Sequence, residues 1–297
     1  MARQNYAGLK KVESKSFHFD GFQILAQFNP ARIRSSGAKL DAKTISQRPC
    51  FLCAANLPPE QHGVDFQGKY TILINPYPIF RRHLTIPSSE HTPQQIENYF
   101  VDMLLLSREL PDFIVFYNGP QCGASAPDHI HFQAADKNEM PILKELKPIT
   151  GRFGKPLFQN EKIKIQTVGD GYLRKFVVLS SDSESVLAYH FQILLVALKE
   201  RGQKGEPMMN ILANFSNGKW TVVVFPRDKQ RPSQFFEEGE KQIMMSPASV
   251  EFAGVAVLPR KEDFEKLTAA DLQDIFRQVT INNKDFEELK EKLKGRL

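Results

Sequence analysis

Apolar and polar positions alternate with a two-residue period near the start of the chain. "KSFHFDGFQILAQF", Lys15–Phe28, alternates on both sides of Asp20-Gly21, a dipeptide that favours a tight hairpin turn, and predicts two antiparallel strands. A polar stretch, Ser35–Arg48, separates this hairpin from "YTILIN" at 70–75 and "HLTIP" at 83–87, both read as strands. The period then changes. Thr92 and Pro93 read as the start of a helix, with Ile96, Phe100, Met103 and Leu104 on one stripe ending near Glu109. "DFIVFYN" at 112–118 is a further strand. The Pro-, Gly- and Lys-rich "KPITGRFGKP", 147–156, looks like a crossing between two halves.

Beyond it the order partly repeats. A strand over "LRKFVVLS" leads to a helix from about Glu184 to Arg201. "MNILANF" and "KWTVVVF" flank Asn217-Gly218, a strong hairpin signal. "FAGVAVL" is another strand, and two helices close the chain, the first capped by Thr268. Strands and packing helices in both parts predict an α+β protein with an internal duplication, divided into residues 1–150 and 151–297.

Composition narrows the class. With 297 residues, 41% hydrophobic and 25% charged, the chain can build one large or two ordinary cores. No apolar run is long enough for a membrane span, and "MARQNYAGLKKVESK" lacks the apolar core of a signal peptide, so a cytoplasmic protein is expected, with no membrane partner. The net charge of +5 suits an anionic substrate, but the basic residues are scattered, which argues against nucleic acid.

Two stretches carry candidate chemistry. Cys50 and Cys53 form C-x-x-C, a spacing that closes two thiolates on one metal ion. The proline pair soon after it, Pro58-Pro59, argues against the helix that a thioredoxin-like pair needs. Further ligands would come from among His83, His91, His129 and His131. The second stretch is "GASAPDHIHFQA", 123–134. On a strand His129, His131 and Gln133 share one face, while Ile130 and Phe132 anchor the other. Neutral imidazole is a nucleophile toward phosphorus, and the Gly123-Ala124-Ser125 turn offers N–H groups and a hydroxyl to phosphoryl oxygens. Arg34, Lys229 and Arg231 are candidate phosphate partners at the margin, although solvated surface charge is the commoner role for each.

"NGPQCGASAPDHIHFQ" resembles the active-site segment of the galactose-1-phosphate uridylyltransferase and diadenosine-tetraphosphate phosphorylase (ATP adenylyltransferase) branch of the histidine-triad superfamily. That pattern is an asparagine, here Asn118, a G-[AC]-S turn and H-x-H-x-Q. "CFLCAAN" is similar to the uridylyltransferase zinc segment, and "SSEHTP" to its histidine-bearing stretch. "MNILANFSNGKWTVVVFPR" and "SPASVEFAGVAVLPR" are more loosely similar to the phosphorylase C-terminal domain. Asp128 and Ile130 depart from the proline-rich form usual in the uridylyltransferases.

The resemblance implies two histidine-triad-like (HIT-like) halves, each an antiparallel sheet with packing helices. It implies a structural Zn2+ held by Cys50, Cys53, His91 and His129. It further implies nucleotidyl transfer through His131, with Gln133 and Ser125 on the phosphoryl oxygens. The substrate would be a nucleotide or nucleotide-sugar, the acceptor phosphate or a sugar phosphate, and the assembly a homodimer. Gln133 stands where the superfamily's hydrolases carry a third histidine able to protonate a leaving group, which favours transferase or phosphorylase. A dinucleoside polyphosphate hydrolase and a zinc-bearing binding module without catalysis are the rival readings.

Overall fold

The computed structural model describes residues 2–33, 42–169 and 171–297. Its strands are β1 (Glu13–Phe19), β2 (Phe22–Phe28), β3 (Val64–Phe66), β4 (Tyr70–Ile74), β5 (His83–Pro87), β6 (Phe113–Asn118), β7 (His131–Asp136), β8 (Gly154–Gln159), β9 (Lys164–Val168), β10 (Phe176–Ser181), β11 (Met209–Ser216), β12 (Lys219–Pro226) and β13 (Val255–Leu258).

Ten of them make one antiparallel sheet in the order β3-β4-β5-β7-β6-β11-β12-β10-β9-β8. Read from either edge inward, each half contributes five strands in the same sequence of positions. In each half a helix links the third strand to the fourth: Phe100–Glu109 in the first and Glu184–Lys199 in the second. The halves are therefore topological repeats joined at the centre, where β6 pairs with β11 and Asn118 lies opposite Asn210. The two corresponding helices also touch, with Phe100 and Phe191 stacked at 3.7 Å between ring centroids.

Alternation along the strands divides the core. Val115, Tyr117, Phe132 and Ala134 face a cluster completed by these two helices and by Asn283–Lys294. Ile114, Phe116 and Ala135 face a second cluster, closed by the small sheet β1-β2-β13 and the helix Ala269–Val279. In the small sheet β13 runs parallel to β2. His131 and Gln133 alternate with Phe132 and so belong to the face toward this small sheet.

Two expected elements differ. The helix foreseen from Thr92 begins at Phe100. The preceding backbone is committed elsewhere, with Gln94 N donating to Pro127 O at 3.1 Å and Ile96 N to the Glu206 carboxylate. The crossing expected at 147–156 is helical, within Pro141–Phe153, and β8 starts at Gly154. Buried Ile142 and Ile149, with Leu143 and Leu146 against the core, outweigh the backbone donor lost at Pro148. The boundary expected at residue 150 falls inside this helix.

Candidate active site

The four residues expected to hold a metal ion assemble around the turn before β7. Ligand atoms of Cys50, Cys53, His91 and His129 all lie within 4.8 Å of one another. His129 Nδ1 is 3.4 Å from Cys50 Sγ and 3.6 Å from Cys53 Sγ, and His91 Nδ1 is 3.2 Å from Cys53 Sγ. His129 Nε2 lies 2.9 Å from Ser88 O. That carbonyl can only accept, so it fixes the proton on Nε2 and turns the Nδ1 lone pair toward the thiols. Asp128 approaches His91 Nε2 at 3.9 Å and pairs with Arg48 at 3.0 Å. Burial pushes the Cys50 thiol up, which disfavours a bare thiolate, and a cation at this spot would reverse that preference. The donor set fits a metal ion.

His129 is not on the strand. β7 starts at His131, and His129 sits in the turn ahead, its N–H bonded to Ala126 O at 3.1 Å. The row expected on one face is therefore His131 and Gln133, with His129 turned into the metal cluster.

His131 has its Nδ1 2.8 Å from the carbonyl of His129, so Nδ1 carries the proton and Nε2 the lone pair. The residue is 3% exposed. Nε2 has no hydrogen-bond partner among the described residues, yet it is not sealed off from solvent. Burial holds this imidazole far below the usual histidine range, at about 4, so it stays neutral at neutral pH. Gln94, passed over in the sequence, clamps the site. Its Oε1 accepts from His131 N at 2.8 Å, and its Nε2 donates to His131 O at 3.1 Å and Asn118 O at 2.9 Å.

Gln133 is oriented by a histidine that neither motif marked. Ile79 N donates to His83 Nδ1 at 3.1 Å, which leaves the proton on Nε2, and this faces Gln133 Oε1 at 3.0 Å. Asn75 Nδ2 reaches the same oxygen at 3.5 Å. With Oε1 occupied, the Gln133 amide presents its N–H groups. Burial keeps His83 at about 3, so it is neutral at neutral pH.

The turn before β7 is built for close approach. Gly123 has φ +100°, and a Cβ there would lie 2.5 Å from Ala248 Cβ. The backbone N–H groups of Gly123, Ser125 and Ala126 donate to no protein atom among the described residues. Ala124 N between them is spent on Gly119 O at 3.4 Å, and the adjacent pair Ser125 and Ala126 can contribute to an anion-binding concavity. Ser125 O accepts from Arg48 at 3.3 Å. Cys122 is fully buried, and burial pushes its thiol up to about 12, which suits a packed residue and not a nucleophile.

The marginal cations divide. Arg231 is stacked over Phe235 at 4.1 Å and donates to Ser246 Oγ at 3.3 Å, beside the segment that packs on Gly123. Lys229 is exposed, and only its carbonyl, accepting from Arg227, ties it to the site. Arg34 lies outside the described residues.

Residues 1–136 match a domain of unknown function, DUF4922, and residues 147–297, over half of the chain, match the model described as GDPGP1-like, C-terminal domain. The chain belongs to the GDPGP1-like family. No curated protein matches it. Among solved structures this GDPGP1-like chain is similar to the yeast Ap4A phosphorylase Apa2, with a TM-score of 0.62 and 18% identity over 95% of this chain and 96% of that one. The same yeast protein in complex with Ap4A gives 0.59 at 18% identity, over 94% and 97%. An ADP-glucose phosphorylase from Arabidopsis thaliana is more distant, at 0.41 and 11% over 87% and 99%. The yeast likeness is one of fold: the two-half HIT-like architecture of the GDPGP1-like chain extends over nearly the whole of both proteins. Asn210, and Arg227 behind it, also reach the site, although neither was singled out; their only sequence signal was the similarity of the quoted "MNILANFSNGKWTVVVFPR" to a phosphorylase domain.

Proposed function

We propose that the protein is a nucleotidyltransferase or phosphorylase that passes a nucleotide through a covalent nucleotidyl-histidine at His131. The observation that carries this reading is an imidazole with Nδ1 tied to a carbonyl and an unbonded, neutral Nε2, at the start of the strand into which a turn with free N–H groups leads. Nε2 attacks the α-phosphorus of a nucleoside diphosphate-sugar or a dinucleoside polyphosphate. The bond from that phosphorus to the bridging oxygen breaks, and the distal phosphate leaves with the electron pair. An oxygen of phosphate or a sugar phosphate then attacks the same phosphorus, the P–N bond breaks and the neutral imidazole returns. The Gly123–Ser125 turn and the Gln133 amide stabilise charge on the phosphoryl oxygens, which is the main demand of such a step. The yeast phosphorylase has been solved with AMP and with Ap4A, and this supports a nucleotide as the ligand.

Cys50, Cys53, His91 and His129 would hold zinc. Tetrahedral zinc with Zn–S of about 2.3 Å and Zn–N of about 2.0 Å sets an S···N edge of about 3.5 Å. The three S···N separations here, 3.2, 3.4 and 3.6 Å, cluster around that edge. Four protein ligands leave no open position, so the ion would supply rigidity to the turn that leads into β7.

The test is mass spectrometry of the peptide carrying His131, quenched after mixing with UDP-glucose, ADP-glucose, GDP-glucose or Ap4A. One nucleoside monophosphate is expected on His131, removed by added phosphate or sugar phosphate. Turnover without any acceptor would replace this reading by the hydrolase. Absence of both adduct and turnover would leave a binding module.

A further inference from the structure

Asn118 sits at the centre of the sheet, and the way its amide points is decided in the other half of the molecule. Arg227, which follows β12, is fully buried and spends all five guanidinium N–H groups on oxygen atoms. Nε donates to Val279 O at 2.9 Å, Nη1 to Pro247 O at 3.0 Å and to Asn210 Oδ1, and Nη2 to Lys229 O at 2.9 Å and Gln230 O at 3.2 Å. A guanidinium can only donate. Asn210 must therefore meet it with Oδ1 and point its NH2 the other way, where Nδ2 donates to Asn118 Oδ1 at 2.9 Å and Cys122 O at 2.8 Å. Ser249 N donates to the same Asn118 oxygen at 2.9 Å. Asn118 is left with its NH2 outward. That Nδ2 has no partner among the described residues and keeps contact with solvent. The position Cβ would take at Gly123 is 3.9 Å from Asn118 Cγ, so the amide borders the turn of free N–H groups.

We infer that Arg227 and Asn210 are positioning residues which fix the polarity of the Asn118 amide, so that Asn118 Nδ2 donates to a phosphate oxygen of the ligand. Each link follows from donor and acceptor identity alone: cation to carbonyl, amide to carbonyl, amide to anion. A flipped Asn118 would face the anion with an oxygen and would set its NH2 against two donors, Asn210 Nδ2 and Ser249 N. This inference deepens the proposed function and names the anion's donor at that site.

The test is a double-mutant cycle with inorganic pyrophosphate as probe, read by calorimetry on the purified full chain, with unfolding midpoints measured on the same samples. Asn210→Asp keeps size and gives Arg227 a carboxylate, but turns a donor into an acceptor toward Asn118. Asn118→Ala and Asn210→Asp should each weaken pyrophosphate binding by about tenfold or more, the worth of one hydrogen bond to a charged group. The double variant should weaken binding clearly less than the two single losses combined, because Asn210 reaches the anion chiefly through Asn118 and only secondarily through Cys122 O. Equal weakening by Asn210→Asp on both backgrounds, or none on either, overturns the relay. If Asn210→Asp fails to fold, the wild type carries the test: its Asn118 side-chain 15N–1H2 signal should shift with pyrophosphate while that of Asn210 stays. The opposite pattern, or no pyrophosphate binding, overturns the role of Asn118. An adduct on His131 without pyrophosphate binding would sink the relay alone; pyrophosphate binding without an adduct would sink nucleotidyl transfer alone.

Discussion

At the scale of single residues, the site depends on which atom of each side chain is occupied. His131, His129 and His83 each have one nitrogen committed to a backbone group, and in each the other nitrogen is thereby defined. Glu206 is another residue held between partners. One oxygen accepts from Tyr117 Oη at 2.6 Å and the other from Ile96 N, next to Gln94. Burial raises its carboxyl from the ordinary 4.5 to about 7. The folded chain thus holds this proton more tightly than the unfolded chain. The resulting stability is complete below about pH 4.5 and is lost as pH rises through about 7. Glu206→Gln cannot ionise, so its stability relative to wild type should rise between pH 5 and pH 8, by roughly 1–3 kcal/mol. Denaturant titrations across that range check it; a difference that does not change with pH would show that Glu206 ionises normally in the fold.

At the scale of elements, the short motifs were legible because each is local. C-x-x-C and H-x-H-x-Q specify their neighbours by spacing, and the Cys50–Cys53 segment reaches His129 as the motif implies. The hairpins at Asp20-Gly21 and Asn217-Gly218 were likewise readable, since a two-residue turn fixes register within its own strands. The start of the helix at Phe100 was not, because Gln94 and Ile96 are held by Pro127 and Glu206 from elsewhere in the chain. Gln94, Asn210 and Arg227 escaped for the same reason: the partners that place them in the site are 17 to 92 residues away. Two substitutions test the local elements. Cys53→Ser should reduce bound zinc to well under one ion per chain and lower the unfolding midpoint by at least about 5 °C, by metal analysis and calorimetry; full occupancy would mean a different ligand set. Gly123→Ala must take up φ +100° and displace Ala248, at a cost of roughly 1–3 kcal/mol. It should slow adduct formation on His131 by about a hundredfold or more, and normal adduct kinetics would remove the turn from the mechanism.

At the scale of the whole molecule, neither half closes its own sheet. β6 and β11 would each become a bare edge if the halves were parted, and the small sheet takes β13 from the second half and β1 and β2 from the first. Residues 1–146 produced alone should be insoluble or inactive, while production together with residues 147–297 should restore adduct formation on His131. An active isolated first half would contradict the brace from Asn210 and Arg227.

The repeat is unequal at one place. Between β6 and β7 the first half inserts residues 119–130, which carry the turn and His129 of the Cys–His cluster; between β11 and β12 the second has only Asn217 and Gly218. A copy with so brief a bend has nowhere to lodge a reactive loop. Freed from that task, its strands could specialise as the wall against which the longer loop is pressed, and inactivating changes should therefore be found as readily around residue 210 or 227 as beside the histidine itself.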